Sequence, residues 1–213
     1  MQLDLNTLSE AILKGDAKSA VAITNEALAA QVDPQRLVNE HMIPAMDEVG
    51  RRFEADEIFV PELLVTARAM KAALEVLKPL LVARGCKPVG KVVVGTVKGD
   101  QHDIGKNLVA SMLEGAGFEV IDLGVDASPE KFLAAVETHS PQIVAMSALL
   151  TTTMIAMRAT IEQLVKAGKR SVVKVIVGGA PVNDRYAREI GADGYSENAN
   201  GAVQLARRLI GVN

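Results

Sequence analysis

From Thr7 to about Ala83 the apolar residues return every three or four positions, the period of helices that each bury one face. The punctuation agrees: Thr7-Leu8-Ser9-Glu10 has capping-box form, Gly15-Asp16 closes one helix and opens the next, and Asp33-Pro34 reads as an N-cap followed by proline at the first helical position. Helices are predicted near residues 5–14, 16–30, 34–52 and 60–83, joined by loops short enough to make neighbours antiparallel. Gly85-Cys86-Lys87-Pro88-Val89-Gly90 breaks that period. Beyond it, short β-branched runs at about 91–97, 118–123, 142–147 and 172–177, with a weak fifth near 193–195, alternate with amphipathic stretches. Those stretches end at Gly117 and Gly168, and one opens at Ser128-Pro129-Glu130. The fold class is therefore α followed by α/β, with a four-helix bundle over residues 1–88 and a doubly wound parallel sheet over 89–213.

Composition narrows the function classes. With 49% hydrophobic and 23% charged residues the chain is a globular protein, and a formal charge of −3 gives no basic field for phosphate backbones. Two Tyr, four Phe and no Trp leave few platforms for base stacking, so nucleic acid is not an expected partner. No apolar run approaches the roughly 20 residues of a membrane span. Met1-Gln2-Leu3-Asp4-Leu5-Asn6 lacks a basic segment followed by an apolar one, and the expected location is cytoplasmic. Cys86, the single cysteine, excludes an internal disulfide and a thiolate zinc cluster made by this chain alone.

Candidate chemistry collects where the strands of the second half end. Asp100, His102 and Gly105 follow the first strand, Gly124 and Asp126 the second, Ser147 through Thr153 the third, and Gly178-Gly179-Ala180-Pro181 the fourth. In an open parallel sheet these loops share one edge, the edge that holds ligands. A histidine with a carboxylate two residues earlier suits one bond to a transition metal, because the second ring nitrogen of a ligating histidine usually donates to an acid that fixes its tautomer. Other candidates are weaker. His41 lies in an apolar helical stretch and reads as a packing residue, His139 suits a helix C-terminus, and Cys86 reads as a free thiol without a role. Met146, Met154 and Met157 read as core fillers. Gly95 and Gly99 do not build a nicotinamide-binding loop.

Val97-Lys98-Gly99-Asp100-Gln101-His102-Asp103-Ile104-Gly105-Lys106-Asn107 resembles the cobalamin-binding signature Asp-x-His-x-x-Gly of methionine synthase and its corrinoid-protein relatives. Ser147-Ala148-Leu149 is similar to that family's Ser-x-Leu element and Gly178-Gly179 to its Gly-Gly pair. Phe59-Val60-Pro61-Glu62-Leu63-Leu64 and Ala67-Arg68-Ala69-Met70-Lys71 resemble the helical cap that precedes such domains. The resemblance implies a Rossmann or flavodoxin-like domain that binds cobalamin or a related corrinoid base-off, with His102 as the lower cobalt ligand. It further implies that Asp100 holds the distal nitrogen of His102, with a hydroxyl of Thr153 behind the acid. Ser147 would bond the displaced base, Gly178 and Gly179 would leave room for the nucleotide tail, and Gly105, Leu149 and Thr151 would line the cofactor. Phe59, Leu63 and Leu64 are implied contacts of a lid over its upper face, with residues 84–90 as a hinge.

By the same resemblance the chain is a methyl carrier that alternates between a substrate-specific methyltransferase and an acceptor methyltransferase for a folate or thiol, with a reductive activator as a further partner. The length leaves no room for the barrel domains of methionine synthase, so the catalysts are expected on separate chains. Leu149-Leu150-Thr151-Thr152-Thr153-Met154 and Val177-Gly178-Gly179-Ala180-Pro181-Val182 look most like the methylamine branch. The alternatives are a cobalamin-dependent sensor or regulator, and a small-subunit mutase component.

Overall fold

The computed structural model describes residues 4–212; Met1, Gln2 and Leu3, part of the stretch read above for a leader pattern, and Asn213 lie outside them. The chain divides into two compact units: one comprises the residues up to Pro88 together with 114–117, the other residues 89–113 and those from Phe118 onward.

The first unit is helical: α1 (Asn6–Leu13), α2 (Ala17–Ala29), α3 (Pro34–Leu37), α4 (Ile43–Glu54) and α5 (Val60–Ala83). Leu8, Ile12, Leu37, Met42, Leu63, Met70 and Leu77 are among its fully buried side chains, spaced as the helical period requires. Two expectations need correction. The stretch 34–52 is not one helix, because a π turn, Val38–Met42, separates α3 from α4. Pro44 sits in the first turn of α4. It has no N–H to give the carbonyl of Glu40 and its ring crowds that oxygen, so the spiral widens just before it. The second correction concerns Thr7, which is inside α1 rather than capping it. Its hydroxyl donates to the Asp4 carbonyl, and the Asp4 side chain accepts from Asn6 N–H at 3.0 Å. Asp16 does cap α2, accepting from Ser19 N–H at 3.0 Å. Asp33 precedes Pro34 as expected but spends its carboxylate on Arg84.

The second unit is a five-stranded sheet in the order β2-β1-β3-β4-β5, every pair parallel. Its strands are β1 (Lys91–Thr96), β2 (Glu119–Asp122), β3 (Ile143–Ser147), β4 (Lys174–Gly178) and β5 (Gly194–Tyr195). The intervening helices are α6 (Ile104–Gly115), α7 (Pro129–His139), α8 (Ile155–Lys166), α9 (Asp184–Ile190) and α10 (Ala199–Ile210). Val93, Val144, Val175 and Val177 meet Phe132, Met157 and Leu164 in one core layer. Met146 belongs to that core and Met154 packs against it, as their spacing predicts. Ser128 caps α7, accepting from Lys131 N–H at 3.3 Å, and His139 closes its last turn. No described helix is long and apolar enough to cross a membrane.

Candidate functional site

The strand order reverses between β1 and β3, so the loops after these strands part at the C-terminal edge of the sheet and leave a crevice. β1 and β3 run in register to their last residues, Thr96 opposite Ser147. The loop after β1 turns on Gly99, whose φ of +84° is costly for a side-chain-bearing residue, and brings Asp100 under the edge.

Asp100 is fully buried and organises the site. Its Oδ1 accepts from the main-chain N–H of His102 at 3.1 Å and lies 2.7 Å from His102 Nδ1. Its Oδ2 accepts from Leu149 N–H at 2.7 Å, Leu150 N–H at 3.3 Å and Thr153 Oγ1 at 2.7 Å. Thr153 Oγ1 is also 2.9 Å from the Leu150 carbonyl, but a hydroxyl has one hydrogen, and the charged acceptor is the stronger claimant. Burial alone pushes the Asp100 carboxyl up. The Thr153 hydroxyl and the N–H groups of Leu149 and His102 outweigh it and hold the group well below the usual carboxylate range.

An ionised carboxylate can only accept, so Nδ1 of His102 is the ring nitrogen that carries hydrogen. In the neutral ring this leaves Nε2 with a bare lone pair, on a side chain that is 51% exposed. Among the described residues no group of three or more His, Cys, Asp and Glu side chains could hold a metal ion. One oriented nitrogen would suit a metal that brings most of its own ligands, as cobalt in a corrin does.

Around His102 the edge is apolar and open. Ile104 is 73% exposed and Ile155 71%, while Leu149 and Leu150 are also exposed. Ile104 and Ile155 escape a sequence reading because each fits the apolar period of its helix, and only the packed structure shows them facing solvent. Thr151 is exposed beside Leu149, and Ser147 is half-buried at the end of β3. Gly105 opens α6 in open space: a Cβ there would meet nothing within 4 Å. Gly178 and Gly179 differ. A Cβ on Gly179, at φ +120°, would stand 2.0 Å from the Ala148 carbonyl oxygen, and one on Gly178 would be 3.0 Å from that of Ser196. The packing itself therefore requires glycine at 179, while at 178 a side chain would be tight. Of the residues expected to form a lid, Phe59 and Leu64 of α5 are exposed, whereas Leu63 is fully buried and offers no surface.

Residues 90–204 match a family described as B12 binding domain, and residues 4–78 match a second family with the same description. The trimethylamine corrinoid protein of Methanosarcina barkeri is 45% identical over 205 residues, which cover 95% of this chain and 94% of that protein. A solved cobalamin-binding protein from Desulfitobacterium hafniense superimposes with a TM-score of 0.79 at 35% identity, covering 98% of this chain and 99% of the other. The methanol:cobalamin methyltransferase complex from Methanosarcina barkeri contains a chain that superimposes with a TM-score of 0.88 at 32% identity, covering 98% of this chain and 80% of that one. The chain thus belongs to the B12-binding family, and within it to the corrinoid proteins of methyltransferase systems.

Proposed function

We propose that this corrinoid methyl carrier holds its cofactor base-off, with His102 as the lower axial ligand, and serves a methylamine-specific methyltransferase as donor partner. The observation that carries the reading is the Asp100–His102 pair, in which the buried carboxylate takes Nδ1 at 2.7 Å and leaves Nε2 as the second nitrogen of an exposed ring. A bound corrinoid supplies a cobalt that accepts a methyl group from one partner and yields it to another, and that chemistry is the cofactor's own. The chain's contribution is orientation. Asp100 keeps hydrogen on Nδ1 and strengthens the basicity of Nε2, and Thr153 with the Leu149 N–H keeps Asp100 ionised. Ile104, Leu149, Leu150 and Ile155 give the ring an apolar seat, Thr151 lies at its margin, and Gly105 lets it approach the α6 backbone. Ser147 serves the displaced base.

The donor assignment is supported by the trimethylamine relative, more similar in sequence than the methanol system's chain. The match of the helical half to its own B12-binding family supports a carrier over a mutase component, and the trimethylamine corrinoid relative supports a carrier over a sensor. The same reading gives the protein an acceptor methyltransferase acting on a folate or thiol, and a reductive activator.

Electron paramagnetic resonance of the cobalt(II) form tests the ligand. Nitrogen splitting is expected in the wild type and lost in His102→Ala; splitting that persists at full strength rejects the assignment. Methyl transfer from methylamine-specific and methanol-specific methyltransferases tests the donor, and a preference for methanol overturns it.

A further inference from the structure

The Asp100–Thr153 pair accounts for the ring of His102 and for its main-chain N–H. The structure holds the residue at a second point that this relay does not explain. Thr96, the last residue of β1, is fully buried, and its hydroxyl donates to the main-chain carbonyl of His102 at 2.8 Å. Thr96 is itself fixed from both sides of its peptide. Its N–H donates to the Gly124 carbonyl at 3.0 Å, and its carbonyl accepts from Ala127 N–H at 2.9 Å. A β-branched side chain on so constrained a backbone has little rotational freedom, so the hydroxyl is a rigid post.

A second strut reaches the same turn from the loop after β2. Asp126 accepts from Gly99 N–H at 2.7 Å, and its own N–H donates to the Asp100 carbonyl at 3.0 Å. It does so in the left-handed conformation, φ +51°, which is sparsely populated for a residue with a Cβ. The turn from Gly99 to His102 is therefore pinned from the sheet by Thr96 and from the neighbouring loop by Asp126, in addition to the Asp100 carboxylate.

We infer that Thr96 is a positioning residue for the cofactor nitrogen, its buried hydroxyl fixing the carbonyl side of the His102 backbone while Asp100 holds the N–H side and sets the tautomer and rotation of the ring. The inference rests on the reading of His102 as the lower ligand. Without the post, the carbonyl of His102 is free to turn towards solvent, and the direction of Nε2 spreads even though Nδ1 keeps its carboxylate. One hydrogen bond of this kind changes an equilibrium by roughly two- to tenfold.

Thr96→Val keeps the shape and removes the hydroxyl, Thr96→Ser keeps the hydroxyl, and Thr96→Ala serves should valine at this position fail to fold. In the apoprotein, nitrogen-15 spectra of the His102 ring and backbone are expected to show hydrogen still on Nδ1 in every variant. New exchange broadening at His102 is expected in the valine and alanine variants only. In the loaded cobalt(II) form, those two variants are expected to show a nitrogen-split signal reduced roughly two- to tenfold relative to the unsplit one, with serine restoring it. Wild-type spectra for Thr96→Val or Thr96→Ala overturn the inference, as does a serine variant no better than alanine. If the wild type itself shows no nitrogen splitting, the ligand assignment fails. The apoprotein spectra then still decide whether Thr96 orders His102.

Discussion

Asp100 and Thr153 stand 53 residues apart in sequence and share a 2.7 Å hydrogen bond inside the protein. The bond joins the loop after β1 to the loop after β3 across the point where the strand order reverses, so the residue that orients His102 is held by the opposite wall of the crevice.

Thr153→Val removes a donor to a buried carboxylate while two main-chain N–H donors remain on the same oxygen. A destabilisation of about 1.5–3 kcal/mol is expected in the apoprotein, the range for a hydrogen bond to a charged group. Thr153→Ser, which keeps the hydroxyl, is expected to lose less than half of that. Denaturant unfolding of the two variants checks the order, and a valine variant as stable as serine removes Thr153 from the relay.

Asp100→Asn should disturb both sides of the carboxylate, because every neighbour of its two oxygens is a donor and an amide must turn its NH2 towards one set. If the NH2 faces the ring, Nδ1 becomes the acceptor and hydrogen moves to Nε2. If it faces Leu149 and Thr153, those donors lose their acceptor. Either way, binding of cobalamin survives with altered cobalt reduction, about 10- to 100-fold in affinity or activity being the usual scale for such partners. Stability carries a pH signature. The folded carboxyl sits below its unfolded value of 3.8, so its contribution is complete above that value and is lost as pH falls through and beneath it. The melting-temperature gap between wild-type and Asp100→Asn apoprotein is expected to be constant from about pH 7 to 5 and to narrow below about pH 4. A gap that does not change with acid would contradict the hydrogen-bond assignment.

The glycines should separate into two kinds. Gly105→Ala lies in open space at the start of α6, where alanine is the better helix former by about 1 kcal/mol. The apoprotein should be as stable as wild type or more so, with weaker corrinoid binding. Gly179→Ala meets the Ala148 carbonyl and an unfavourable φ, and should destabilise the apoprotein by about 3 kcal/mol or more. Melting curves and cobalamin titrations of the two variants check the contrast. Normal cobalamin binding by Gly105→Ala sets aside close approach of the ring to that backbone.

Lys106 and Asp122 form an unequal ion pair at 2.5 Å: the lysine side chain is 2% exposed, the aspartate 43%. Asp122→Ala strands a buried ammonium and should cost about 2–4 kcal/mol, whereas Lys106→Met leaves an acid that can return to water and should cost less than about 1 kcal/mol. Equal losses in chemical denaturation would mean that the lysine is not truly desolvated.

What the sequence determined by itself are the features set by local spacing. The helical period of the first half, the alternation of the second, and the Asp-x-His-x-x-Gly signature all lie within short windows, where propensity, capping and chain connectivity act directly. Local reading failed where a local rule met a longer-range demand. One helix is expected over 34–52, yet a π turn precedes Pro44, which has no N–H for the carbonyl four residues earlier. At Gly179 the packed chain adds a demand that local spacing does not carry, the close approach of the Ala148 carbonyl. Only the tertiary structure decided that five donors converge on Asp100, that Leu63 is sealed while Ile104 and Ile155 stand open, and that Thr96 reaches the carbonyl of His102. The contacts of Leu149, Leu150 and Thr153 with Asp100 come from the parallel order of β1 and β3, which sequence separation does not encode. Burial makes them matter, since a carboxylate away from water keeps its charge only by the donors that the fold brings to it.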